Sequence, residues 1–298
     1  ADIMNEQPWT VLRKAEVTRL GEGLRPGGRL GEAARRRRRG SAAGCWSTAT
    51  GSCYSAPATH PVVEEMPLSV TVNGRHALTA MTSPAMLREF VVGYLYTERI
   101  VRKLDEIESI RIEGNTASVL TKNPFAILVS HKTVLSGCGG STSFLDAGRL
   151  PAIRSDLILL PEAIRAATKE TLDSGLHRTT GGIHLVGLFD GEGKAIRIAE
   201  DIGRHNALDR VIGHGLLSGV DFSRTFAVSS GRISSEMVRK CLVANIPVIV
   251  SRGATTTTAV EAAEAGGLTI VGFVRSKKMN IYTGPERVRG ASQAAAGE

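Results

Sequence analysis

The chain has 298 residues, 42% of them apolar and only 4% aromatic, with 37 Lys+Arg against 29 Asp+Glu for a net charge of +8. That length supports one large domain or two small ones with a real core. No apolar run approaches the roughly 20 residues of a membrane helix, and four cysteines without regular spacing make no disulfide framework, so the expectation is a reduced, cytoplasmic protein.

Residues 1–60 hold ten Lys+Arg against five acids, including the block Arg35–Arg39. Most of the excess positive charge lies there, and the body that follows is only mildly cationic, compatible with an anionic ligand. After the arginines comes Gly40-Ser-Ala-Ala-Gly-Cys-Trp-Ser, too polar for the apolar run of a secretion signal. The expectation is a solvated, poorly ordered extension, with nucleic-acid binding by the arginines as the alternative. Cys45 and Cys53 carry no zinc-site pattern.

From residue 61 the character changes. Leu68-Ser-Val-Thr-Val72 alternates as a half-buried strand does, Asn73-Gly74 is a two-residue hairpin signal, and His76–Met81 reads as the return strand. Ser83-Pro84 reads as an N-cap with proline at the first helical position. The helix behind it sets Leu87, Phe90, Val91, Tyr94 and Leu95 on one face, which marks them as core. Short strands near Ile110–Ile112, Ala117–Leu120 and Phe125–Val129 complete a small α+β domain over 61–150, ending in a glycine-rich loop.

Residues 151–298 alternate strand and helix. Pro161–Leu172 reads as a helix, and Ile183–Phe189 with Ala195–Ala199 as a hairpin turning at Asp190-Gly191. Helix Asn206–Leu217, strand Thr225–Ser229, helix Ser234–Ala244 and strand Pro247–Ser251 follow. Helix Thr257–Ala265 and strand Thr269–Val274 close the run. Strands separated by such helices predict right-handed crossovers and a mixed, mostly parallel sheet covered by helices. The fold class is therefore α/β, with a smaller α+β domain before it.

Cys138 sits in Leu135-Ser-Gly-Cys-Gly-Gly-Ser-Thr-Ser143. Glycine neighbours leave a thiol accessible, able to attack or to carry a persulfide if its pKa is lowered. The residues alone leave an incidental cysteine equally open. Cys241, inside an apolar helix pattern, reads as plain core.

Three further stretches gather polar groups where strands pass into helices. Glu200-Asp-Ile-Gly-Arg-His-Asn206 precedes a helix that Asp201 is placed to cap, with N–H groups suited to an anion. Ser229-Ser-Gly-Arg-Ile-Ser-Ser235 repeats the scheme, and Thr179-Thr-Gly-Gly-Ile-His184 adds a third. Each alone is as readily a turn as a site; together they point to a ligand crevice. Phe273-Val-Arg-Ser-Lys-Lys278 carries three cations within four residues and by itself reads as a solvated edge. There is no Walker A loop, GxGxxG, HExxH or paired CxxC.

These stretches, in this order and spacing, resemble the FdhD family. The likeness rests on the Cys138 loop, Thr180-Gly-Gly-Ile-His184, Glu200-Asp-Ile-Gly-Arg-His-Asn206, Ser230-Gly-Arg232 with Glu236-Met237, and Asn280-Ile-Tyr-Thr283. Gly93-Tyr-Leu-Tyr-Thr-Glu98 adds to it. It covers about residues 61–288 and leaves 1–60 outside. The resemblance implies a cytidine-deaminase-like fold for residues 151–298. It also implies a sulfur carrier, a persulfide sulfurtransferase required for formate dehydrogenase activity. Such a protein takes sulfur from a cysteine desulfurase and passes it to the molybdenum bis(molybdopterin guanine dinucleotide) cofactor before insertion. Carried over, Cys138 bears the persulfide. Phe273, Val274, Arg275, Ser276, Lys277 and Lys278 become the cofactor-binding stretch, which replaces the solvated-edge reading.

The cofactor is then a bound substrate, and the protein needs no catalytic metal of its own. The implied partners are the desulfurase and formate dehydrogenase, with no nucleic acid and no membrane; a homodimer is left open. One departure stands out. Many family members carry Cys-Gly-x-Cys-Gly at this loop, and here Ser141 stands where the second thiol would be. A two-thiol relay is excluded, while a one-cysteine carrier remains chemically sufficient. The alternative is a non-catalytic cofactor-binding chaperone. A zinc deaminase on the implied fold fails, because His184-Leu-Val186 lacks the glutamate and no Pro-Cys-x-x-Cys exists.

Overall fold

The computed structural model describes residues 12–22, 53–125, 133–134, 141–142, 150–276 and 278–291. Leu12–Glu22 (β1) and Cys53–Val63 (β2) pair as a two-stranded sheet, nearly all of which falls in a unit spanning Arg13–Val62. Both strands lie largely within residues 1–60, the stretch expected as a poorly ordered extension. Strand pairing depends on a distant partner, which a local reading of an arginine-rich stretch does not supply.

Met66–Val72 (β3) and Arg75–Thr82 (β4) form the expected hairpin. Its two turn residues, Asn73 and Gly74, have φ of 50° and 76°, the pair of positive values that a right-twisted two-residue turn requires. Helix α1 (Leu87–Thr97) follows, then β5 (Ile107–Glu113) and β6 (Thr116–Thr121). The sheet order is β4-β3-β6-β5, with only β3 and β6 parallel. Leu68, Val70, Ala117 and Val119 are buried in one cluster with Phe90, Val91 and Leu95 of α1. The helix starts later than Ser83-Pro84 suggests. Its cap is Met86, in the left-handed region at φ 47°, and Ser83 is engaged elsewhere. Two short strands, Thr133–Val134 (β7) and Ser141–Thr142 (β8), pair antiparallel.

The second sheet begins beyond α2 (Pro161–Leu172) and α3 (Gly175–Thr180). Strands β9 (His184–Asp190) and β10 (Ala195–Asp201) lead into α4 (Arg204–Leu217). Strand β11 (Thr225–Ser229), α5 (Ser235–Ala244), β12 (Val248–Ser251), α6 (Thr257–Gly266), β13 (Thr269–Gly272) and β14 (Asn280–Thr283) complete it. The order is β10-β9-β11-β12-β13-β14.

This sheet is mixed, as expected, but its antiparallel pairings outnumber the parallel ones. Only β11/β12 and β12/β13 are parallel, because only α5 and α6 provide the long crossovers that parallel neighbours need. The β9/β10, β9/β11 and β13/β14 pairings are antiparallel. As a result β10, β11, β12 and β13 all run the same way and end on one edge. Helices cover both faces. Ile164 and Ala167 of α2 pack with Phe189, Phe226 and Val250 on one side. Residues of α4, α5 and α6, among them Leu208, Met237 and Ala263, pack with Leu188, Ala227 and Ile249 on the other.

Residues from Val63 onward fall in one compact unit. Helices α1 and α4 join the two sheets at a contact of glycines. A Cβ on Gly93 would lie 1.8 Å from the Asp209 carbonyl oxygen, a backbone approach that only glycine permits. Among the described residues no helix is long and apolar enough to cross a membrane.

Candidate functional site

The loops that leave the common edge of the large sheet carry most of the residues singled out from the sequence. After β13 the chain turns at Phe273, which is 41% exposed with φ 51°. A bulky residue at positive φ is sterically costly, and here backbone hydrogen bonds hold it. Phe273 N donates to the Gly253 carbonyl at 3.0 Å, and Val274 N to that of Ser251 at 3.1 Å. Arg275 N donates to the Lys278 carbonyl at 2.8 Å. Its Nη1 donates to the carbonyls of Arg252 at 2.7 Å and Val274 at 3.0 Å. The tail loop is thus folded onto the end of β12.

Val274, Arg275 and Ser276 line a cavity of about 620 Å³ that α2 also lines. Arg165, Lys169 and Arg252 also line it, with Glu162 as the one acid. Of the six tail residues expected to bind the cofactor, three face this cavity. Phe273 and Lys278 are not on its wall, and Lys277 lies outside the described residues, as does Cys138.

A second cavity, of about 350 Å³, adjoins the first at Leu172 and Arg252. The Gly181-Gly-Ile-His184 stretch and Ser230 line it. His177 Nδ1 donates to the Ile183 carbonyl at 2.8 Å and steadies that turn. His184 and Ile202 are shared with a third cavity of about 370 Å³, where Gly203, Arg204, His205 and Asn206 meet Tyr94, Glu236 and Lys240. The three polar motifs therefore do converge along one edge, as the strand-to-helix reading suggests. Arg232, by contrast, lines none of these three cavities and is exposed.

Asp201 does not cap α4; the cap is Gly203, without a side-chain hydrogen bond. Its fully buried carboxylate instead accepts from Gly203 N at 2.7 Å and Asn206 Nδ2 at 3.0 Å through one oxygen. The other oxygen takes Thr82 Oγ1 at 2.7 Å and Ser83 N at 3.1 Å, and pairs with Arg210 at 2.7 Å. Arg210 also donates to the carbonyls of Glu200 and Ser83. Asp201 thereby ties the end of β4 to the entry of α4.

Deeper in the third cavity, Lys240 Nζ lies 2.8 Å from Asp209 Oδ2 and 3.4 Å from Glu98, which also pairs with Arg239. Burial alone would lower the Lys240 ammonium; the Asp209 and Glu98 carboxylates outweigh it and hold it above its ordinary value. His205 Nε2 lies 3.1 Å from Ser234 Oγ and 3.4 Å from Glu236 Oε2. Burial, followed by the charges of Arg204, Lys240 and Arg239, pushes His205 down to about 3, so it is neutral at physiological pH. Burial likewise pushes the Glu236 carboxyl up. Sequence reasoning missed Arg210, Arg239 and Lys240, which occupy helix positions that a cation ordinarily exposes. No local pattern marks them, because their acidic partners come from other elements.

Helices on both faces of a mixed sheet, with polar loops gathered where four strands end, define an α/β protein with polar cavities along its strand ends. The family model described as FdhD/NarQ matches residues 63–289, and the chain belongs to this family. The "Sulfur carrier protein FdhD" of Bacillus subtilis is 35% identical over 237 residues, covering 76% of this chain and 90% of the relative. Its namesake from Methanothermobacter thermautotrophicus is 35% identical over 229 residues, covering 76% and 91%. That from Wolinella succinogenes is 36% identical over 235 residues, covering 76% and 82%. A solved structure from Desulfotalea psychrophila, of a protein assigned as a formate dehydrogenase accessory protein, shares the fold. It has a TM-score of 0.68 at 24% identity, covering 92% of this chain and 99% of that one.

Proposed function

We propose that this protein is a sulfur carrier serving formate dehydrogenase, with Cys138 as the persulfide-bearing residue. In the loading step the Cys138 thiolate attacks the terminal sulfur of a cysteine desulfurase persulfide. The donor's S–S bond breaks, the donor leaves as a thiolate, and Cys138 carries the added sulfur. The acceptor is molybdenum bis(molybdopterin guanine dinucleotide), a substrate held at Phe273–Lys278 before its insertion into the dehydrogenase; on transfer the Cys138 S–S bond breaks, Cys138 leaves as a thiolate, and the reduced metal centre of that substrate would supply the two electrons that take the sulfur to the sulfide level. The finer fold assignment, cytidine-deaminase-like, belongs to the same reading.

The observation that carries this reading is the combination of family membership over residues 63–289 with relatives named as sulfur carriers. The cationic cavity beside Val274–Ser276 supports it, since a guanine dinucleotide carries pyrophosphates that cations and N–H donors grip. The test is incubation with a cysteine desulfurase and cysteine, followed by mass spectrometry of the Cys138 peptide. A gain of about 32 mass units, removed by reductant, is expected of a persulfide.

A second reading, a cofactor chaperone without sulfur transfer, draws on Ser141 in place of a second thiol. It predicts cofactor binding with no mass gain on Cys138 under the same conditions.

A further inference from the structure

We infer that the phosphate grip of this site is two-walled, and that Lys169 on α2 and Arg252 after β12 contribute to it beyond the tail loop. The inference rests on the proposed cofactor reading and names the residues and the ligand group, a diphosphate, that the cavity selects.

The cavity of about 620 Å³ brings together four cations from three separate elements: Arg165 and Lys169 of α2, Arg252, and Arg275. Its single acid, Glu162, is taken up by Arg165 at 2.8 Å. Among the described residues no carboxylate pairs with Lys169, Arg252 or Arg275. Three like charges gathered around one cavity repel one another, and a polyanion between them relieves that repulsion. The tail and α2 both line the cavity, so a diphosphate there can be held from two separate elements.

The three cations are not equivalent. Arg275 spends Nη1 on the carbonyls of Arg252 and Val274, so part of its fork is committed to the loop's own shape. Arg252 makes no side-chain hydrogen bond among the described residues, and its backbone carbonyl is the acceptor that fixes Arg275. Its guanidinium keeps all its donors for a ligand, and it stands where the cavity meets the neighbouring 350 Å³ compartment. A diphosphate at Arg252 therefore leaves the rest of a nucleotide a place to enter. Lys169, exposed near the end of α2, acts from that helix as a point charge, whereas an arginine can bond two phosphate oxygens at once.

The experiment is calorimetric titration of the full chain with GDP, inorganic pyrophosphate and guanosine. The proteins are wild type, Lys169→Ala, Arg252→Ala, Arg275→Ala and a distant control, Arg111→Ala, each checked for an unchanged unfolding midpoint. Arg252→Ala is expected to weaken both GDP and pyrophosphate by about ten- to a hundredfold, the range of a charged hydrogen bond. Lys169→Ala should weaken both less than Arg252→Ala, guanosine binding should not change, and the control should match wild type. If Arg275→Ala loses GDP while Lys169→Ala and Arg252→Ala keep it, the two-walled grip is overturned and the tail assignment stands. If wild type binds neither GDP nor pyrophosphate, the cofactor site itself is wrong and this inference falls with it.

Discussion

Gly93 on α1 and Gly213 on α4 oppose each other so closely that neither position has room for a side chain. A Cβ on Gly93 would sit 1.8 Å from the carbonyl oxygen of Asp209, and one on Gly213 would sit 1.9 Å from that of Glu89. Gly93→Ala must force the helices apart above the buried Asp209–Lys240 pair. Overpacking of this kind costs about 3 kcal/mol or more. The expected result is a lower denaturant midpoint for either alanine variant; a midpoint equal to wild type would mean that the helices separate freely.

His205 makes stability depend on acidity. Its folded pKa, about 3, lies below the ordinary 6.5 of the unfolded chain. Between those values the unfolded state binds the proton more readily, so stability is full above about pH 6.5 and falls as pH drops towards 3. The raised carboxyl of Glu236 acts with the opposite sign, so the useful quantity is a difference between two proteins. His205→Gln should flatten the loss of stability between pH 7 and pH 4, measured by urea unfolding. Parallel pH profiles for the two proteins would refute the assignment.

The cysteines should separate cleanly. Cys241 is fully buried, and burial pushes its thiol up to about 12, which leaves it protonated and unreactive. Cys241→Ser should cost about 1–3 kcal/mol for a buried hydroxyl while sulfur loading per folded molecule is unchanged. Cys138→Ser should abolish loading, read by the mass of the desulfurase-treated protein. Full loading of the Cys138 variant would move the persulfide to another residue.

Within the tail, Arg275→Ala should weaken GDP binding more than Lys278→Ala. Arg275 lines the cavity and holds the loop onto the end of β12, whereas Lys278 is off that wall and meets Arg275 through its backbone carbonyl. A charged hydrogen bond is worth about 1.5–3 kcal/mol. Titration showing the larger loss for Lys278→Ala would reverse the order of these roles.

Much of the fold is legible in the sequence where a local signal decides the structure. Pro161 opens α2 at the expected residue and Thr225–Ser229 is the expected strand, because a proline start and a short apolar run need no distant partner. Asn73-Gly74 makes its turn for the same reason. The start of α1 is not legible. Ser83 donates its N–H to Asp201, accepts from Ile202 N through Oγ, and accepts from Arg210 through its carbonyl. All three partners lie more than a hundred residues away, and they override its capping preference. Antiparallel β14 was invisible for a related reason, since its place is set by the tail loop that folds it back. The motif loops on the sheet edge could be read as a group. Lys169 could not, because nothing in an amphipathic helix marks one surface lysine as facing a cavity.

The glycine contact between α1 and α4 also limits how the molecule accommodates a large ligand. Slipping α1 by one residue would carry Val92 or Tyr94, and slipping α4 would carry Ile212 or His214, into a space too small for a methyl group, so the contact resists shear between the two sheets. Any adaptation to the proposed dinucleotide then falls to the loops at the strand ends rather than to the frame that carries them.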